Sequence, residues 1–317
     1  MEINLTQTES DTSKRIVVVG IGGAGNNSVS RMIDENIKGV DFIGINTNRQ
    51  ALQLCKAQKR ILIGEKLTLG LGFGAKPEIG ENAALESKEE IVSALKGADL
   101  LFVTCGMGGG TGAGAAPVIA GFARDMGILT VGVVTMPFSY ESEERKENAI
   151  NSLDKIKDNV DTLIVISNDK IFEIADKNTP LPQMFRKIDE TLINMVREIV
   201  NITGPDSIIG IDMKDIRHAL ENKGLSYIGY GKGSGTDKIN EAVQNAIQNP
   251  FIETSVNGAK SVIIMLDGHI SLTDVDDAMN SIQPYIDEDA TIILGANAST
   301  DDTDDCSITI IATGMGD

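Results

Sequence analysis

Two glycine-rich stretches of the sequence have the composition and spacing of phosphate-binding loops. Glycine occupies six of the nine positions from Gly106 to Gly114, and the residues from Gly20 to Gly25 fit the pattern G-x-G-x-x-G. Glycine lets the backbone approach a ligand closely, at an entropic cost that must be compensated. Backbone N–H groups of such a loop and the start of a following helix can hold a phosphate. The alternative is a pair of tight strand-to-helix turns without a ligand.

The two loops lack the basic residues of other phosphate sites. Neither contains lysine, and the P-loop pattern G-x-x-x-x-G-K-[ST] occurs nowhere in the chain. Backbone N–H groups, helix dipoles, a Mg²⁺ ion and one arginine would have to balance the charge of a phosphate. The first loop alone fits a dinucleotide-dependent oxidoreductase as well as it fits any other protein that binds a phosphorylated ligand. Such an enzyme needs an acid at the end of the second strand, where this chain has Asn46, so the oxidoreductase stays as the less favoured alternative.

Short apolar runs that end at the glycine loops predict strands, and helical patterns follow them. Near-continuous apolar runs that alternate with helical patterns predict a parallel sheet covered on both faces, in an α/β fold. Parallel strands end at one edge of a sheet, so the two loops should converge on one ligand. Thr111 is the predicted cap of the helix after the second loop, and Pro117 should lie early in that helix. The predicted strands are "RIVVVG", "VDFIGIN", "DLLFVTC", "ILTVGVVTMPF" and "TLIVIS".

The second half of the chain has a different pattern. Apolar residues at three- and four-residue steps from Leu181 to Ile202 predict one long helix, buried on much of its circumference. Beyond it, the sequence predicts a strand, a helix and two strands, with the acidic stretch from Ser299 to Ser307 as a hairpin loop between the last two. We therefore divide the chain into a flexible segment at 1–13, a Rossmann-like domain at 14–180, a central helix at 181–202, and a loop with a smaller α+β domain at 203–317.

Composition and charge restrict the class of protein. The net charge is −18, which argues against a nucleic-acid partner and against an anionic membrane surface, because both recruit basic patches. Three cysteines fit neither a disulfide framework nor a metal site, and His218 and His269 lack metal-ligand spacing, so no metal site is predicted in the protein itself. The chain shows no signal pattern and no run of membrane-spanning length, so we expect a cytoplasmic protein without membrane insertion.

The stretch "GMGGGTGAGAAP" from Gly106 to Pro117 resembles the signature loop of the tubulin/FtsZ family of GTPases. From about Lys14 to its C-terminus, the chain is similar to the members of that family that act in bacterial cell division, the FtsZ proteins. The resemblance implies a tubulin/FtsZ-type GTPase domain with a parallel sheet, a long central helix and a smaller α+β C-terminal domain. It also implies that the ligand is GTP or GDP, with Mg²⁺ bound through the nucleotide phosphates.

The resemblance assigns nucleotide contacts by position. Those expected at the phosphates are Gly22, Gly23, Asn27, Gly106, Gly108, Gly109, Gly110, Thr111 and Gly112. Further loops supply Asn46, Thr47, Gly72 and Gly74, of which the last two reach toward the γ-phosphate. The residues expected at the ribose and the guanine are Pro137, Glu141, Arg145, Asn168, Phe185, Asp189 and Glu190. Either of the last two acids could accept the guanine N–H groups.

The stretch "GIDMKDIR" from Gly210 to Arg217 resembles the catalytic loop of the family. In that family Asp212 and Asp215 would act on the nucleotide of the neighbouring molecule and orient the attacking water. The implied partner is another copy of the chain, in head-to-tail filaments of the division ring at mid-cell. A contact of this kind does not close on itself, so it generates filaments.

Several positions depart from the family pattern. We expect the glycine that replaces asparagine at the start of the catalytic loop to slow turnover, because an amide that could orient water is lost. An FtsZ-like paralogue with weak or no hydrolysis, which forms or regulates filaments, therefore remains the alternative. The chain ends where the family's shared domain ends, so we expect the peptide that binds division adaptors to be absent. The departures are Asn48, Ala113, Met136, Gly210 and Met213.

Overall fold

A computed structural model describes residues 14–174, 179–203, 207–298 and 304–315 of the chain. The predicted flexible segment at 1–13 and residues 299–303 of the acidic stretch lie outside this part. The strands are β1 Ile16–Ile21, β2 Val40–Asn46, β3 Lys59–Leu62, β4 Leu100–Gly106, β5 Leu129–Met136, β6 Thr162–Ser167, β7 Gly224–Leu225, β8 Tyr227–Ser234, β9 Ala259–Gly268, β10 Ile286–Ala298 and β11 Asp305–Thr313. The α-helices are α1 Gly22–Asp34, α2 Arg49–Leu54, α3 Glu65–Thr68, α4 Pro77–Glu86, α5 Lys88–Leu95, α6 Gly110–Asp125, α7 Glu143–Lys157, α8 Ile171–Ile174, α9 Leu181–Thr203, α10 Met213–Leu220, α11 Lys238–Ile247 and α12 Leu272–Ile282.

The first domain is built on a parallel sheet, as the apolar strand pattern predicts. Its seven strands follow the order β3-β2-β1-β4-β5-β6-β7, and every neighbouring pair is parallel. Successive side chains of a strand point to opposite faces. Val18 and Phe102 therefore pack in one apolar core, whereas Val17 and Val103 pack in the other, on the opposite face. Helices cover both faces, which explains why the central strands are apolar along almost their whole length.

Helix α6 begins earlier than the sequence predicts. Gly109 is its N-cap, so the prediction of Thr111 as the cap is wrong, and Pro117 lies in the interior of the helix. The Thr111 hydroxyl lies 2.8 Å from Thr47 Oγ1 instead of capping the helix. Helix α6 packs closely on α4, since a Cβ atom on Gly114 would lie 2.0 Å from the carbonyl oxygen of Pro77. This packing requires glycine at position 114, although glycine has poor helix propensity.

Helix α9 connects the two halves of the molecule. Ile188, Leu192 and Val196 lie in the apolar core, and Glu198 is buried as well. From Ile188 onward the helix is therefore buried on most of its circumference, as predicted. Burial and the nearby charge of Asp267 raise the pKa of Glu198 to about 7, although Arg197 lowers it. A carboxyl group that ionises near neutral pH thus faces the second domain.

We expect the protein to become more stable when the pH falls from 8 to 6. Over this range folded Glu198 takes up a proton, whereas its pKa of 4.5 in the absence of the fold leaves the unfolded chain ionised. The free energy of unfolding should rise by about 1 kcal/mol, and this increase should be lost in Glu198→Gln. Urea unfolding at both pH values measures it, with Glu190→Gln, an exposed position of the same helix, as the control. If the free energy of unfolding depended on pH equally in the wild type and in Glu198→Gln, the prediction would be contradicted.

The second domain has a four-stranded sheet in the order β10-β9-β11-β8. The predicted order of strand, helix, strand and strand is confirmed for β9, α12, β10 and β11. The predicted hairpin is wrong, because β9 lies between β10 and β11 and pairs with both. In this position β9 is the central strand, which fits its apolar sequence.

Strand β8 carries glycine at every second position on the face that receives α11. A Cβ atom on Gly229, Gly231 or Gly233 would lie between 1.8 and 2.0 Å from a carbonyl oxygen of α11. Two residues of a strand and four residues of a helix both advance by about 6 to 7 Å, so strand and helix stay in step. The helix backbone therefore rests directly on the strand backbone. No helix in the described ranges is long and apolar enough to cross a membrane.

Candidate functional site

A cavity of about 550 Å³ lies at the edge of the large sheet where β1, β4, β5 and β6 end. Both glycine-rich loops reach it, as the parallel arrangement of the strands predicts. The structure thus brings together residues that are far apart in the sequence. The residues predicted to contact a ligand that line this cavity are Gly22, Gly23, Gly74, Gly106, Gly108, Gly109, Gly110, Thr111, Gly112, Pro137, Glu141, Arg145, Asn168 and Phe185.

One end of the cavity is suited to phosphate. Helices α1 and α6 both begin in its wall, at Gly22 and Gly110, and neither start is capped by a side-chain hydrogen bond in the described structure. The first N–H groups of a helix have no partner within the helix and carry partial positive charge. Two such ends at one cavity provide the backbone donors that an anionic ligand requires.

The glycines at this end serve two different purposes. A Cβ atom on Gly110 or Gly112 would lie 2.2 or 2.5 Å from a backbone carbonyl oxygen, so these glycines are required by packing. A Cβ atom on Gly23 or Gly109 would meet no atom of the neighbouring structure within 4 Å. Gly109 also has an ordinary extended conformation, with φ −92° and ψ 159°. Neither packing nor conformation explains glycine at these two positions, whereas room for a ligand does.

The middle of the cavity holds an ion pair. Arg145 donates to Glu141 at 2.6 Å, and the Phe138 N–H donates to the other oxygen of Glu141 at 2.9 Å. Among the described residues that line the cavity, Arg145 is the single cation, balanced by Glu141. The charge of several phosphates would therefore have to be met by backbone N–H groups and a metal ion.

The far end of the cavity is suited to a flat ring with N–H groups. The Oδ1 atom of Asn168 is buried and accepts no hydrogen bond within the described part of the chain. Phe185 lies beside it in the cavity wall and packs edge-on against Phe138, with ring centroids 6.0 Å apart. A purine base could stack on the aromatic wall and donate to the free amide oxygen.

The two acids predicted to recognise guanine do not line the cavity. Asp189 is buried one helical turn beyond Phe185, where it accepts from Ser28 at 2.6 Å and forms an ion pair with Arg31. Burial raises the pKa of Asp189, whereas the charge of Arg31 and the hydrogen bond from Ser28 lower it. Glu190 is exposed. Both oxygens of Asp189 thus have partners on α1, which connects the phosphate-loop helix to α9.

Four other predicted contacts also lie outside the cavity wall. Asn27 is exposed, and Gly72 packs near Asn48. Asn46 and Thr47 lie behind the loops, where Thr47 Oγ1 is 2.8 Å from Thr111 Oγ1. Asn46 and Thr47 support the wall through their bonds to Asn26 and Thr111, and none of the four residues lines the cavity itself.

Sequence reasoning missed Asn26, a buried residue that fixes the first loop. Its amide donates to the carbonyl oxygens of Gly20 at 2.7 Å and Ile45 at 3.3 Å, and it accepts from Asn46 at 2.9 Å. Asn26 thereby joins β1 to β2 directly under the loop. The pair of asparagines after the glycines was the available signal, because only one of two adjacent helical residues can face inward.

The two candidate catalytic acids lie at the opposite edge of the sheet from the cavity. Asp212 caps α10 by accepting from the Lys214 N–H at 3.1 Å, and both Asp212 and Asp215 are exposed. Along the same helix, Arg217 donates to the carbonyl oxygen of Gly127, which precedes the amino end of β5. The cavity lies at the other end of that strand, whose eight residues span about 26 Å. The acids therefore cannot reach the cavity of their own molecule.

Comparisons with known proteins identify both domains. Residues 15–176 match the GTPase domain of the Tubulin/FtsZ family, and residues 224–316 match the C-terminal domain of the FtsZ family. An empty FtsZ dimer from M. jannaschii is 41% identical, with a TM-score of 0.88, over 96% of this chain and 89% of that chain. The predicted fold class is therefore confirmed.

More distant structures share the fold. A GTPγS-bound protofilament of CetZ2 from Haloferax volcanii is 20% identical over 95% of this chain and 93% of that chain, with a TM-score of 0.80. A GDP-bound monomer of CetZ1 from the same organism is 22% identical over 96% of this chain and 95% of that chain, with a TM-score of 0.81.

The GTPase-domain match accounts for the cavity, because a domain of this family binds guanine nucleotides. The uncapped starts of α1 and α6 and the open space at Gly23 and Gly109 fit the phosphates of such a nucleotide. The aromatic end of the cavity fits its base. Because both domains match and 96% of the chain aligns with an FtsZ structure at 41% identity, the chain belongs to the tubulin/FtsZ family.

Proposed function

We propose that this protein binds and hydrolyses GTP and polymerises head-to-tail into a cytoplasmic filament that acts in cell division at mid-cell. Asp212 and Asp215 of one copy would complete the nucleotide site of the next. The observation that carries this proposal is the position of the acids at the opposite edge of the sheet from the cavity. One molecule alone contains both the cavity and the two acids but cannot bring them together.

The expected roles follow from the contacts. The N–H groups at the starts of α1 and α6 hold the phosphates, and Arg145 and Glu141 lie where the sugar would be. The carboxylates of Asp212 and Asp215, from the adjacent copy, orient the attacking water and accept a hydrogen bond from it. A Mg²⁺ ion bound through the phosphates would supply positive charge there, which the single cation of the described cavity cannot provide.

Exposed apolar side chains at both ends of the molecule support the head-to-tail contact. Leu69 and Leu71, in the loop between α3 and the cavity residue Gly74, are 74% and 76% exposed, and Ile208, near Asp212, is 68% exposed. Leu69 also has φ +54°, a conformation that leucine rarely adopts. Neither packing nor conformation favours leucine there. Contact between the two different ends of successive copies would cover these side chains and would extend without closing.

The related structures support self-association. The FtsZ relative is a dimer, and the CetZ2 structure is a protofilament. A second candidate, a filament protein with weak or no hydrolysis, is favoured by Gly210, which is exposed at the start of the loop before α10. Such a protein would form or regulate filaments with little or no turnover of GTP.

The test is the GTPase rate per molecule as a function of protein concentration, with light scattering in parallel. We expect the rate to rise steeply above the concentration at which scattering appears, because two copies make one complete site. A rate per molecule that does not depend on concentration would contradict the shared site. Assembly with GTP but no phosphate release would select the second candidate.

A surface variant separates assembly from nucleotide binding. Leu71→Glu should bind GTP normally but lose both scattering and turnover, because a charge then lies on the contact surface. Ile150→Glu is the matched control, since Ile150 is exposed in the middle of α7, away from both ends. It should assemble as the wild type does.

A further inference from the structure

Four aromatic rings gather at the base end of the cavity. The chain has eight phenylalanines, four tyrosines and no tryptophan, so a third of its rings lie at this one place. Phe138 is the buried centre of the group, with ring centroids 4.9 Å from Tyr140, 5.7 Å from Phe172 and 6.0 Å from Phe185. Three of the four, all but Phe172, line the cavity.

The burial of these rings is unequal. Tyr140 is 69% exposed and Phe172 is 56% exposed, although each contacts the buried Phe138. Tyr140 stacks almost parallel to Phe138, at an interplanar angle of 15°. One face of the tyrosine ring is therefore covered, and the other is open beside the cavity. Exposed aromatic surface next to a cavity is typical of a binding surface.

The turn that carries Tyr140 is fixed relative to the base end of the cavity. The backbone N–H of Ser139 donates to both carboxylate oxygens of Asp169, at 3.0 and 3.2 Å. Asp169 directly follows Asn168, whose buried amide oxygen is free in the described structure. The open ring face and the amide group are thus held in one arrangement. Phe172 contacts Tyr140 from the side, at 6.4 Å between centroids.

We propose that Tyr140 is an additional contact of the nucleoside: its open face packs against the bound purine nucleoside and slows the release of the nucleotide. Phe172 acts as a positioning residue that keeps the tyrosine ring over the cavity. This inference depends on the proposed function, since it concerns the same nucleotide. The phosphate loops and the ion pair of Glu141 and Arg145 would still hold the remainder of the ligand.

The test measures the release of a fluorescent GDP analogue from the full chain, at a concentration below assembly, after addition of excess GDP. Tyr140→Ala should release it about tenfold faster, because stacking between a base and an aromatic side chain is lost. Tyr140→Phe should release it at the wild-type rate, and Phe172→Ala at an intermediate rate. Ile150→Ala, which removes an exposed apolar side chain elsewhere, should leave release unchanged.

A second readout reports the contact directly. Because the chain has no tryptophan, its emission comes from four tyrosines, of which Tyr140 is the one beside the cavity. GDP should quench this emission in the wild type, after correction for its absorbance, and should quench it far less in Tyr140→Phe. The phenylalanine variant would thus keep slow release while losing the optical signal.

Different outcomes would overturn the proposal for different reasons. Unchanged release from Tyr140→Ala, in a wild type that binds GDP, would exclude the nucleoside contact alone. Unchanged release combined with weaker assembly would assign the ring to the contact between copies and would equally overturn the proposal. Absence of guanine-nucleotide binding by the wild type would reject the proposed function, and the role of Tyr140 with it.

Discussion

Asp212→Asn is expected to lower the GTP turnover of the assembled protein by about a hundredfold or more while leaving the affinity for GTP unchanged. The carboxylate is exposed at the start of α10, and the cavity lies at the far edge of the same sheet. Removing its charge should therefore not disturb the nucleotide of its own molecule. Phosphate release and equilibrium binding of GTP measure the two effects separately. A large loss of GTP binding would mean that Asp212 acts within its own subunit.

Mixing two inactive variants gives the decisive control for this result. Gly109→Val should fill the space for the phosphates but keep both acids, whereas Asp212→Asn should keep the cavity but lose one acid. In a mixture, the first variant can supply Asp212 to the nucleotide that the second one holds. Turnover should therefore rise in the mixture well above the low rate of either variant alone. A mixture as inactive as its components would contradict a site shared between molecules.

Gly114→Ala is expected to destabilise the protein by about 3 kcal/mol, whereas Gly109→Ala should leave stability unchanged and weaken GTP binding. Helix propensity alone predicts the opposite for Gly114, because alanine favours a helix interior over glycine. The added Cβ atom, however, would lie 2.0 Å from the Pro77 carbonyl oxygen, and backbone cannot move aside cheaply. At Gly109 the same atom meets no neighbour within 4 Å.

Thermal unfolding and equilibrium binding of GTP distinguish the two glycine variants. We expect Gly109→Ala to melt at the wild-type temperature. It should bind GTP at least tenfold more weakly, because the added methyl group occupies space needed by the ligand. If Gly114→Ala melts at the wild-type temperature, the close contact of α4 with α6 does not exist in solution. If Gly109→Ala binds GTP normally, the phosphates lie elsewhere.

The strands that position the site could be predicted because their sequences carry strong local signals. β1, β4, β5 and β6 are apolar, and all but β4 are rich in β-branched residues, since they lie in the middle of a sheet covered on both faces. β8 and α11 were missed for a physical reason. Glycine at Gly229, Gly231 and Gly233 weakens a strand in isolation, and only the contact with the carbonyl groups of α11 explains it.

The candidate site was predictable to a similar degree. The convergence of both glycine loops followed from the parallel strands, and the positions of Glu141 and Asn168 in the wall agree with the family pattern. Local sequence could not separate glycines with open space around them, such as Gly109, from glycines required by packing, such as Gly112. It also could not show that Asp189 pairs with Arg31, because that contact joins two helices distant in the chain.

The separation of the cavity from Asp212 across the sheet determines how many complete sites a row of copies can contain. If each complete site needs a cavity from one copy and acids from the next, a row of n copies contains n − 1 complete sites. The copy at one end keeps a nucleotide that no neighbour can hydrolyse, and the copy at the other end presents acids with nothing to act on. The two ends of every row would thus be chemically different, and turnover per molecule would increase with the average length of the row.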